Sequence, residues 1–262
     1  MPDDRIITTR EGAVGRVTID NPARHNAVSN DMWLAIADAM AAFEADPEIR
    51  VITFQGAGEK AFVSGADISR MEGDRARGAA VTRSGGPFAT ACAAVYDVTK
   101  PTVAIIRGWC LGGGMGLAVS CDLRICSDDS RFGIPAAKLS IGYSADGLQR
   151  IVDIAGVAAA KEIIYTARQY TAPEMERMGL VNRMLPAAEL ADFARDYVAG
   201  IAAGAPLTIA AAKATLDQLA RSEGDRDWTR AEALIARCGT SADHAEGTRA
   251  FMEKRPPVFT GR

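Results

Sequence analysis

Two stretches of small residues and one polar turn hold the side chains and amides best suited to chemistry. The first stretch, Ala61-Phe62-Val63-Ser64-Gly65-Ala66-Asp67-Ile68, follows a run of strand-forming residues, and its small side chains leave the Ala66 N–H free to face a ligand. The second, Trp109-Cys110-Leu111-Gly112-Gly113-Gly114-Met115-Gly116, follows another such run and leads into a helix through Leu117 to Ser120. A helix start offers N–H groups without partners and a partial positive charge, and both attract an oxyanion. Two N–H groups converging on one carbonyl oxygen make an oxyanion hole, where one donor is worth about 2.7–4 kcal/mol of transition-state stabilisation. The same glycines equally allow tight strand-to-helix packing with no chemistry. A dinucleotide-binding fingerprint fails on spacing, because G-x-G-x-x-G begun at Gly112 meets Leu117 where its third glycine belongs.

The polar turn is Ile141-Gly142-Tyr143-Ser144-Ala145-Asp146-Gly147. A tyrosine, with an ordinary pKa near 10, can give a proton or a hydrogen bond to an enolate or a departing carboxylate. A desolvated Asp146 can act as base or hold a proton. Structural roles compete with both: a half-buried ring with a satisfied hydroxyl, and a turn or N-cap aspartate before Leu148. Asp122, in Ser-Cys-Asp-Leu-Arg, reads as structural. His25 and His244 are the only histidines and are too scattered for a metal site. The five cysteines, Cys92, Cys110, Cys121, Cys126 and Cys238, show no C-x-x-C spacing, so neither a disulfide framework nor a zinc knuckle is expected.

The elements that must position these groups follow from periodicity. Arg5 to Asp20 carries β-branched runs around Glu11-Gly12, a hairpin signal. Ser29-Asn30-Asp31 can cap a helix over Met32 to Ala45, with Trp33, Ile36, Met40 and Phe43 on one face. Val51 to Gly56 and Thr102 to Gly108 read as buried strands, each followed by a glycine turn. Met71 to Pro87 is polar and glycine-rich, which predicts a mobile segment or a ligand mouth. Helical patterns dominate later, over Ala158 to Thr166, Ala172 to Met178, Ala188 to Ala203 and Pro206 to Leu219.

A length of 262 residues suits one large domain, divided here into a core over 1–200 and a helical region over 201–262. Abundant alanine with only 6% aromatic residues points to α/β and away from an all-β sandwich. The N-terminal sequence has no apolar signal-type run, and no stretch has the length of a membrane span, so the expected location is cytoplasmic. Thirty basic against thirty-three acidic side chains favour neither a nucleic-acid nor a membrane partner.

Five segments in order resemble the successive motifs of the enoyl-CoA hydratase/isomerase, or crotonase, family: AFVSGADI (61–68), GWCLGGGMGLAVSCDLRI (108–125), RFGIPAAKLSIG (131–142), MGLVNRMLP (178–186) and AFMEKRPPVFTG (250–261). The resemblance implies a crotonase spiral of ββα units with a C-terminal helical trimerisation region, assembled as a trimer or a dimer of trimers. It implies Ala66 and Gly113 as oxyanion donors. It also implies that the CoA part of an acyl-CoA substrate lies along Ala23-Arg24-His25, Ser64, Ala66-Asp67-Ile68 and Gly113, with Phe251 and Lys254 contributed by a neighbouring subunit. No cofactor beyond that CoA, and no metal, is implied.

The two glutamates with which family hydratases move protons correspond to Gly116 and Ala136 here, and neither side chain can transfer one. Tyr143 stands where methylmalonyl-CoA decarboxylases of this superfamily carry a tyrosine, and the tail is similar to theirs, but their oxyanion-loop histidine corresponds to Ala66. Ala160 to Asn182 resembles dihydroxynaphthoyl-CoA synthases equally well, so the acyl group stays open. The expectation is an acyl-CoA lyase or isomerase of fatty acid metabolism type, with decarboxylation and double-bond migration both fitting. A catalytically reduced acyl-CoA-binding protein is the alternative.

Overall fold

A computed structural model describes residues 5–67 and 86–262. The segment expected to be mobile, 71–87, falls almost wholly outside them. The chain opens with the expected hairpin: β1 (Arg5–Glu11) and β2 (Val14–Asp20) pair antiparallel from Arg5↔Asp20 to Glu11↔Val14, turning at Gly12 with φ +58°. Alternation along β2 buries Val17 and Ile19 against one side, where α1 (Asn30–Ala45) lies. Ser29 caps α1, its hydroxyl accepting from the Met32 N–H at 3.4 Å, and Met32, Trp33, Ile36, Met40 and Phe43 face the core. The helix thus begins two residues earlier than its periodicity indicated, because the cap is Ser29 itself.

From β3 (Val51–Gly56) onward the strands come in consecutive pairs. β3 and β4 (Ala61–Val63), β5 (Thr102–Ile106) and β6 (Trp109–Leu111), and β7 (Leu123–Ser127) and β8 (Arg131–Gly133) each send the first strand to a six-stranded sheet and the second to a four-stranded one. The larger sheet has the order β1-β2-β3-β5-β7-β10, with β10 at Arg183–Leu185, and the smaller has β4-β6-β8-β9, with β9 at Tyr170–Thr171. The bend between members of a pair needs close backbone approach. A Cβ at Gly108, whose φ is +66°, would lie 2.1 Å from the Lys60 carbonyl oxygen, so only glycine fits. Helix α2 (Pro87–Asp97) packs on α1, α3 (Gly113–Ser120) follows β6, and α4 (Ala136–Leu139) follows β8, giving ββα units as expected.

Helix α5 (Ala145–Thr166) starts thirteen residues before the predicted Ala158, and breaks at Gly156, where φ is +81°. That glycine interrupts the pattern and hid the first half. α6 (Ala172–Arg177) and α7 (Leu190–Ala203) follow, the latter covering the opposite face of the large sheet through Leu190, Ala194 and Val198. The helical C-terminal region is α8 (Pro206–Leu219), α9 (Thr229–Thr240) and α10 (Ala242–Glu253). Among the described residues no single helix is long and apolar enough to cross a membrane.

Candidate active site

The two small-residue stretches meet. Val28 forms an isolated parallel bridge to Ala66, in which the Val28 N–H donates to the Gly65 carbonyl at 2.9 Å and the Asp67 N–H donates to the Val28 carbonyl at 3.0 Å. In such a bridge the residue between the two bonded neighbours turns its own N–H the other way. The Ala66 N–H therefore points away from Val28, and Ala66 is exposed between the buried residues Gly65 and Asp67. No hydrogen bond to a protein acceptor is recorded for it among the described residues.

Gly113 is the first residue of α3, and the first bond closing that helix is Gly116 N–H to Gly112 carbonyl at 3.2 Å. The Gly113 N–H is thus one of the donors every helix start leaves over. Gly112 sits at φ +52°, and a Cβ there would be 3.8 Å from Gly65 Cα, so the two turns touch back to back. A Cβ at Gly113 would stand 3.7 Å from the Ala66 nitrogen and 3.1 Å from the Trp33 ring. α3 begins at Gly113, four residues before the Leu117 at which its apolar run starts, which is why its first free amides fall within the glycines.

Tyr143 joins this group from the far side, its hydroxyl 3.5 Å from the Gly112 carbonyl oxygen that it can donate to. Burial, with a smaller contribution from the Cys92 thiol, pushes the Tyr143 hydroxyl up to about 12. A phenol so placed stays protonated and acts as a donor. Asp146 is exposed in the first turn of α5, and the cap of that helix is Ser144, whose hydroxyl accepts from the Gly147 N–H at 3.3 Å. Pro135 reaches Gly112, its Cδ 3.9 Å from a Cβ placed there.

The turn Ala23-Arg24-His25 is stitched to the first stretch. The Ser64 N–H donates to the His25 carbonyl at 3.1 Å, the Ser64 hydroxyl donates to the Arg24 carbonyl at 3.2 Å, and Arg24 Nη1 reaches both Asp67 carboxylate oxygens at 2.9 and 2.8 Å. Asp67 is buried whereas the Arg24 side chain is half exposed, so the guanidinium stays at the surface of the site. His25 is exposed and left-handed at φ +51°. Ile68 lies outside the described residues. Phe251 and Lys254 stand apart, exposed at the end of α10. Trp33 was read from the sequence only as a core-facing residue of α1 and Phe88 was not singled out, although Trp33 borders Gly113 and Phe88 borders Gly116. Trp33 carries an ordinary core-helix spacing, and nothing in the order of residues shows that it meets Phe88 from α2.

The family profile described as enoyl-CoA hydratase/isomerase matches residues 9–262. The chain belongs to the enoyl-CoA hydratase/isomerase family. It is 32% identical over 259 residues to a short-chain-enoyl-CoA hydratase of Clostridium acetobutylicum, and 35% identical over 260 residues to a carnitinyl-CoA dehydratase of Salmonella agona, each alignment covering 97% of both chains. A solved enoyl-CoA hydratase/carnithine racemase from Magnetospirillum magneticum superposes with a TM-score of 0.89 at 34% identity, over 99% of this chain and 96% of the other. A protein from Hyphomonas neptunium assigned to the same family gives 0.91 at 34% identity, over 100% and 98%. The two-sheet spiral of ββα units is thus the crotonase fold of the enoyl-CoA hydratase/isomerase family, and the touching turns at Ala66 and Gly113 are features of this member's own backbone.

Proposed function

We propose that this chain binds acyl-CoA thioesters and stabilises their enolate form, with the Ala66 and Gly113 amides on the thioester oxygen and Tyr143 as proton donor. The carrying observation is the meeting of two turns whose amides, at Ala66 and Gly113, find no protein acceptor among the described residues. Negative charge developing on the carbonyl oxygen is what such fixed dipoles stabilise. Arg24, Asp67, Ser64, Ala23, His25 and Ile68 border the CoA moiety in this reading, and Phe251 and Lys254 reach it from a neighbouring subunit of a trimer or a dimer of trimers. No group other than the substrate's CoA takes part.

Decarboxylation or double-bond migration is favoured over hydration. Hydration requires one group to activate water and another to deliver a proton. Gly116 and Ala136 offer neither, and Asp146 is turned to solvent. Hydration remains the second reading on the names of the relatives, a hydratase and a dehydratase. The test is a panel of acyl-CoAs in deuterated buffer followed by mass spectrometry, with crotonyl-CoA included. Loss of carbon dioxide from a 2-carboxyacyl-CoA, with deuterium delivered to Cα in place of the departing group and no loss of the crotonyl chromophore, is the expected result. Steady hydration of crotonyl-CoA sinks the preference, and saturable binding with no exchange, decarboxylation or hydrolysis leaves a binding protein.

A further inference from the structure

The polar and apolar sides of this site are separated along the first turn of α3. Tyr143 approaches at Gly112. Gly113 and Gly116 are three residues apart and share a helix face. Along that face the neighbours are aromatic: Trp33 beside Gly113, and Phe88 beside Gly116. The two rings meet edge to face, with centroids 5.0 Å apart at 76°. A Cβ at Gly116 would fall 2.5 Å from Phe88 Cζ, and its three nearest atoms all belong to that ring. No side chain can therefore stand at position 116 while Phe88 holds this rotamer, and the half-buried ring takes the place of whatever it would have presented.

We infer that Phe88 is a specificity-determining residue, its ring forming the wall against which the acyl group beyond Cα packs. This rests on the reading that a thioester oxygen sits at Ala66 and Gly113. With the oxygen fixed there, Cα proton transfer faces Tyr143 and the next carbon runs toward Gly116 and Phe88. The substrate class is then an acyl group that is apolar at Cβ. A hydroxyl at Cβ would be pressed against ring carbons with no partner, and an unpaired buried hydroxyl is disfavoured. Gly116 belongs to the same device, because its missing side chain makes room for the ring.

Calorimetric binding of two thioesters that differ only in that hydroxyl, butyryl-CoA and 3-hydroxybutyryl-CoA, tests this. The native protein is expected to prefer butyryl-CoA by about tenfold or more. Phe88→Ala should reduce the preference below about threefold, chiefly by weakening butyryl-CoA, while Phe88→Leu retains most of it. Equal binding of both thioesters by the native protein overturns the inference even if Phe88→Ala fails to fold, and so does an undiminished preference in a folded Phe88→Ala. Enolate chemistry is read separately by Cα deuterium exchange. Preference without exchange keeps the Phe88 wall and removes the enolate reading, whereas exchange without preference does the reverse.

Discussion

At the scale of single residues, the proposed chemistry pairs two rigid backbone donors with one adjustable side-chain donor. The backbone amides carry no pKa in the working range, so any pH dependence of proton delivery belongs to the side chain. Tyr143 is raised to about 12 by burial, so its proton is held through the ordinary tyrosine range. Its catalytic contribution should then be flat past pH 10 and decline only as pH approaches 12. The same shift affects folding: the folded state holds the proton more tightly than the unfolded chain, so the tyrosine's contribution to stability is full below pH 10 and is lost as pH rises from 10 through 12. Tyr143→Phe should lower Cα exchange by about a hundredfold or more, the usual range for loss of a positioned acid, and abolish the alkaline decline, with little change in butyryl-CoA affinity. An exchange rate unchanged in that variant moves the proton donor elsewhere, with Asp146 next to examine. The sequence pointed to the candidate donors through the family resemblance of the two stretches, because glycines in a turn after a strand serve packing equally well, as Gly108 and Gly114 do. It did not separate Tyr143 from Asp146. That distinction is one of burial, set by Gly112 and the core beneath the turn, and is invisible along the chain.

At the scale of elements, the donor geometry depends on how α3 sits on the small sheet. The Gly112 N–H donates to the Gly133 carbonyl at 2.8 Å, tying the α3 start to β8, and Gly114 rests directly on β4. A Cβ at Gly114 would lie 2.2 Å from the Val63 carbonyl oxygen and 2.9 Å from Val63 Cβ, so α3 must lift to admit even alanine. Overpacking of this kind costs about 1–3 kcal/mol. Gly114→Ala should therefore lower the melting temperature, and it should also cut Cα exchange in the protein that remains folded, because lifting α3 carries the Gly113 amide away from Ala66. A loss of stability with undiminished exchange would show that the α3 start is not held by this contact. Long periodic elements such as α1, β3 and Pro206–Leu219 were legible in the sequence. The short strands Ala61–Val63 and Trp109–Leu111 were not, since three residues carry no period. Their pairing into a second sheet is what brings Gly65 against Gly112.

At the scale of the whole molecule, two internal clasps hold the C-terminal helices to the core. Asp122 accepts from the Thr102 N–H at 2.7 Å, from the Thr102 hydroxyl at 3.0 Å and from Lys213 Nζ of α8 at 2.8 Å, so it is structural, as its motif suggested. Arg50 donates to the Ala202 and Phe259 carbonyls, and Asp243 accepts from the Thr260 and Gly261 N–H groups, folding the tail back along α10. These clasps leave Leu216, Leu219, Ile235, Phe251, Met252 and Val258 exposed, with Phe251 at 83%. Large apolar side chains left exposed on the C-terminal helices and tail suit an interaction surface. If that surface joins copies of this chain, light scattering of the native protein should give three or six times the 27.7 kDa chain mass. Phe251→Asp should then shift the mass toward the single chain, since a carboxylate buried at such a contact without a partner is costly. Affinity for acyl-CoA should fall in parallel, because Phe251 and Lys254 would no longer be delivered to a neighbour's CoA. A monomeric native protein that binds acyl-CoA at full affinity would mean that the site is completed within one chain, and Lys254 would then have no part in it.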